Sequence, residues 1–72
     1  MTYTPAQLAT LTGLPDPTAA DVRTDPARLF RLREAAERQL RHFRDDAPLR
    51  LKVAASEYAA LADRLLETPD EA

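Results

Sequence analysis

Side chains able to do acid–base, nucleophilic or metal chemistry are few in this sequence and stand far apart. His42 is the single histidine and Ser56 the single serine. Nucleophilic catalysis needs a nucleophile, a base and an orienting acid to converge, and these two residues are expected on different helices. Asp45 and Asp46 follow His42 at i+3 and i+4, enough for two or three metal ligands where a structural zinc takes four. No cysteine is present, which excludes a disulfide framework, a thiolate metal site and cysteine catalysis. Glu34 and Glu37 are the nearest approach to paired carboxylates. Arg38 and Arg41 stand four residues beyond them, in the order that makes solvated ion pairs on a helix. Gly13 is the single glycine, so there is no glycine-rich phosphate loop. No catalytic residue, cofactor or metal is expected, and the sequence points to binding.

The arginines carry the chemistry that remains. Arg28, Arg31, Arg33, Arg38, Arg41 and Arg44 against Glu34 and Glu37 give a local balance of +4 (six minus two) in a chain of formal net charge −2. A basic helix can follow a phosphate backbone. These arginines are spread around the helix, however, and no aromatic side chains are interleaved for base stacking. Arginine also suits protein interfaces. Protein partners are therefore expected first, with nucleic acid the less favoured alternative.

Three helices must position these groups. Thr4-Pro5-Ala6-Gln7 forms a capping box with Pro in the first turn, Leu8 and Leu11 share a face, and Gly13 is a left-handed stop. The first helix is expected over about 5–12, with Leu14 folding back on it. Pro15 and Pro17 make 14–25 a packed linker, in which Thr18-Ala19-Ala20-Asp21 can open a single turn anchored by Val22. Asp25 caps the second helix, about 26–44, where Leu29, Leu32, Ala36, Leu40 and Phe43 form one stripe. Phe30 lies beside that stripe and is expected to reach the first helix. Asp45-Asp46-Ala47-Pro48 breaks the chain, the two aspartates suiting the next helix start. The third helix is expected over about 48–67, with Leu51, Ala54, Tyr58, Leu61 and Leu65 as a heptad-like seam that Ala55, Ala62 and Leu66 widen. Pro69 ends it before the tail Asp70-Glu71-Ala72.

Two long helices joined by about three residues run antiparallel, and the alanines at 35, 36, 54, 55 and 62 allow close approach. The expected fold is all-α and a single domain over 1–72: a short N-terminal helix packed on an antiparallel two-helix hairpin. Leu61→Asp is expected to unfold it. Apolar positions off the seam mark a protein-binding surface: Phe30, Leu49 and Val53, with Arg31 and Arg38 beside them. Eleven Leu, two Val, two Phe and two Tyr, padded by 14 Ala, make a lean core for 72 residues, so self-association or a partner is expected to help. No apolar run is long enough for a membrane, and Met-Thr-Tyr-Thr-Pro is not a secretory start, so the expected location is the cytoplasm. Nine Arg against one Lys, with neither Asn nor Ile, point to a GC-rich coding genome.

Two family resemblances bear on the partner. Tyr3-Thr4-Pro5-Ala6-Gln7-Leu8-Ala9-Thr10-Leu11-Thr12-Gly13-Leu14 resembles the first helix and turn of MerR-type helix-turn-helix regulators. Their recognition helix is rich in Thr, Leu, Arg and Tyr. Here Thr18 matches its start, but Ala19 and Ala20 replace the bulky and basic residues and Pro15 and Pro17 crowd the turn, so DNA reading is not carried over. The same opening, the acidic linker, Leu32-Arg33-Glu34-Ala35-Ala36-Glu37-Arg38-Gln39-Leu40 and the Ala-rich segment from Pro48 to Leu66 together resemble small head–tail connector (adaptor) proteins of tailed bacteriophages. The likeness covers most of the chain in order of elements, without the longer loop such proteins often carry between their later helices. It implies a structural subunit that assembles beneath the portal as a virion component, with itself and with portal or tail proteins as partners. The alternatives are a small protein-binding regulator of inhibitor or antitoxin type, and a DNA-binding transcriptional module.

Overall fold

Local capping chemistry sets the starts of two helices. In this computed structural model, which describes residues 3–67, the Thr4 hydroxyl accepts the Gln7 N–H at 3.1 Å while the Gln7 side chain accepts the Thr4 N–H at 2.8 Å. That reciprocal pair opens α1 (Pro5–Thr12). Gly13 closes it at φ 73°, a left-handed angle that a Cβ disfavours, and its N–H reaches the Ala9 carbonyl at 2.9 Å. The linker holds one further turn, α2 (Ala20–Arg23), around the buried Val22. Thr18 serves the bend before it, giving its N–H and hydroxyl to the Asp16 carboxylate at 2.8 and 2.7 Å.

Asp25 caps α3 (Pro26–His42) by accepting the Arg28 N–H at 3.2 Å. α3 stops two residues short of the expected Arg44, because Phe43 turns extended (φ −66°, ψ 140°). Two aspartates just ahead oppose the negative end of the helix dipole, and Pro48 disfavours helical backbone before it. A turn closed by the Ala47 N–H on the Arg44 carbonyl follows. α4 (Leu49–Glu67) begins one residue after Pro48, whose carbonyl accepts from Leu51 and Lys52. The expected stop at Pro69 and the tail Asp70-Glu71-Ala72 lie outside the described residues.

The described residues are all-helical, with four helices packed together and no strand. α4 has the widest interface with α3 and a second one with α1, while α2 rests on α3. Leu8, Ala36, Ala54, Tyr58 and Ala59 form the core cluster, flanked by Tyr3, Leu11, Leu14, Leu32 and Leu61. Both apolar stripes point inward for most of their length. Leu40 is the exception at 37% exposed.

Tyr58 ties the linker to this core. Its side chain is fully buried among alanines and its hydroxyl donates to the Pro15 carbonyl. Burial pushes the phenol up to about 12, the Asp16 carboxylate adds to the rise, and the Arg28 guanidinium opposes it. Three further long-range bonds fasten the chain: Gln39 Nε2 to the Thr12 carbonyl at 2.8 Å, Arg23 Nη1 to the Leu65 carbonyl at 3.2 Å, and the Tyr3 N–H to Glu57 Oε1 at 3.4 Å.

Candidate protein-binding surface

At 100° per residue, the buried Leu29 and Ala36 fix which side of α3 faces inward. Phe30, Arg31, Glu34, Arg38, Arg41 and His42 consequently project outward, and all are exposed. Phe30 is 43% exposed, and the Arg33 guanidinium lies 4.9 Å from its ring centroid. The first helix packs against α4 and leaves Phe30 at the surface, contrary to the contact expected from the sequence. Arg31 and Arg38, seven residues apart, share one side of α3, where Arg38 lines a groove with Ala35, Gln39 and His42.

The expected Glu34–Arg38 and Glu37–Arg41 ion pairs are not formed. Glu37 Oε2 pairs instead with Arg33 Nη1 at 3.3 Å. Arg33 sits on the half-buried flank of α3 and is steadied by Phe30, where a carboxylate gains more than against a solvated partner. Arg28 pairs with Asp21, also at 3.3 Å. Within the described residues Arg31, Arg38, Arg41 and Arg44 therefore have no carboxylate partner.

Leu49 and Val53 lie on the outer side of α4, one turn apart. Leu49 is 73% exposed and Val53 half-buried. The five residues singled out by sequence thus fall on two surfaces: Phe30, Arg31 and Arg38 on α3, Leu49 and Val53 on α4. Sequence reasoning passed over Asp63 and Glu67, which continue the Leu49–Val53 line along α4 and are exposed. Their signal was spacing: 49, 53, 56, 60, 63 and 67 repeat by three and four, as a second, outward seam does.

Neither His42 nor Ser56 meets a catalytic partner; both are exposed and on different helices. Among the described residues no three or more His, Cys, Asp or Glu side chains gather as metal ligands, and no helix is long and apolar enough to cross a membrane. No protein-family model matches the chain, and no match was found among curated proteins or solved structures.

Proposed function

We propose that the chain is a non-catalytic structural assembly protein, most specifically a phage head–tail connector-like subunit that binds other virion proteins. The observation that carries this reading is a pair of outward helix faces with exposed apolar anchors, Phe30 on α3 near arginines without carboxylate partners and Leu49 on α4. Aromatic and apolar anchors with arginine nearby are enriched in protein interfaces. The order of elements, which resembles the connector family, supports it further. A location in the cytoplasm, and in the virion after assembly, belongs to the same proposal.

The finer architecture is also part of it: a short N-terminal helix on an antiparallel two-helix hairpin. The Arg23–Leu65 bond supports this by bringing the entry of α3 close to the exit of α4, as does the Lys52 ammonium, 3.5 Å from the Asp45 carbonyl at the opposite end. Solution mass measured with and without a portal ring tests the functional reading. Binding to portal is the expected result, and a strict monomer that ignores portal sinks it.

A second reading, a DNA-binding module, is favoured by the same four arginines. Titration of labelled duplex at about 50 mM salt, where phosphate contacts are strongest, separates the two. No binding there removes the nucleic-acid reading.

A further inference from the structure

We propose that this protein assembles head to tail, the outer face of α3 of one copy docking on the outer face of α4 of a second copy. The inference rests on the assembly reading and names a partner for it. The two faces match in the order of their chemistry. Along α4, Leu49, Val53, Ser56, Ala60, Asp63 and Glu67 fall within an arc of about 80° at 100° per residue, and all but the half-buried Val53 are exposed. That face is apolar at its start, small in the middle and acidic at its end. Along α3 the outer face begins with the exposed ring of Phe30, carries Glu34 one turn on, and ends with Arg38 and Arg41, followed past the helix end by Arg44.

The spacing sets the direction of docking. Phe30 to Arg41 is eleven residues, a rise of about 16.5 Å at 1.5 Å per residue. Placing Phe30 between Leu49 and Val53 of a parallel neighbour brings Arg41 level with Asp63 to within about 2 Å of rise. Apolar meets apolar, Arg41 meets Asp63 with Arg38 one turn before it and Glu67 one turn beyond, and Glu34 falls beside the exposed Ser56. The exposed Ser56 and Ala60 between these ends let the two helices approach. An antiparallel neighbour anchored on the same apolar pair carries its arginines beyond the start of α4, toward the loop at Asp45 and Asp46.

A two-fold dimer would pair both faces at once; head-to-tail docking instead uses one face per neighbour, so each copy keeps one of each open and growth continues to a closed ring or a chain. A single helix-on-helix contact buries less than a stable dimer needs. Association is therefore expected to be weak, concentration-dependent and reduced by salt.

Sedimentation equilibrium of the full chain over a concentration series at low salt tests this. The average mass is expected to rise past that of a dimer. Arg38→Glu/Arg41→Glu and Asp63→Lys/Glu67→Lys are each expected to weaken association at least about tenfold, since each sets like charges against each other. These positions are exposed, and circular dichroism checks that both variants keep wild-type helicity. An equal mixture is expected to regain assembly, because every joint then pairs one acidic face with one basic face. For an anchor independent of charge, Leu49→Ser is expected to weaken association as well.

Four outcomes overturn the proposal: a wild-type mass that stays monomeric at the highest concentration, growth that stops at a dimer, a mixture of folded variants that does not recover, or weakening by Asp45→Lys/Asp46→Lys in place of Asp63→Lys/Glu67→Lys. A monomer that still binds a portal ring refutes head-to-tail docking and leaves the assembly reading standing. A monomer that ignores portal ends both.

Discussion

Tyr58 shows how much one polar atom can hold in a protein this small. Its hydroxyl satisfies the Pro15 carbonyl and fixes the linker against α4. Tyr58→Phe leaves that carbonyl without its partner and is expected to cost about 1–3 kcal/mol, read from urea unfolding. The phenol also couples stability to pH. Its folded value, about 12, lies above the ordinary 10. The stabilisation it gives is therefore complete below pH 10 and lost as pH rises from 10 through 12. That loss is on the order of 2–3 kcal/mol for two units. Wild type should lose stability over this window more steeply than Tyr58→Phe; parallel curves would show that the phenol titrates normally in the fold.

The helices were readable in the sequence to the degree that their determinants are local. Thr4 with Gln7, Asp25 with Pro26, and Gly13 each act within one turn, and each sits where its type demands. Gly13 has nothing within 4 Å of where a Cβ would stand. The cost of Gly13→Ala is therefore backbone strain alone, about 1–2 kcal/mol, visible as a lower thermal midpoint. What escaped reading depends on where a partner helix runs out. Periodicity assigned Leu40 to the seam because it reports a face and not the partner's reach, and at 37% exposure Leu40 lies where cover thins. The partner of Glu37 escaped for a similar reason, since the stacking of Arg33 on Phe30 is a three-dimensional event. Leu61 packs against the core cluster and lines a groove with Tyr3, Pro5 and Leu8, the contact of α1 on α4. Leu61→Asp strips an apolar side chain from the flank of the core and puts a carboxylate against Leu8 and Pro5, and is expected to abolish cooperative helicity by circular dichroism. Full retention would mean that α1 contributes little to the fold.

At the scale of the whole molecule the structure spans 42 × 22 × 17 Å. In so narrow a body each long helix has a side that no other helix covers. Phe30, Leu49 and Val53 were named from the sequence as apolar positions off the stripes; Phe30 and Leu49 are exposed and Val53 is half-buried. Asp63 and Glu67 were not named, because an acidic residue on an exposed helix carries no mark of its own until its neighbours along the face are known. The interior tolerates little enlargement. Ala62→Leu forces extra volume into a position that is 0% exposed, and is expected to cost about 1–3 kcal/mol by chemical denaturation. A neutral result would place slack between the helices. The alanines at 36, 54, 55 and 62 are all fully buried, and a methyl side chain has no rotamers to surrender on folding. A chain with few large hydrophobes can therefore reach a unique state by sparing itself the ordering cost that leucines would have imposed.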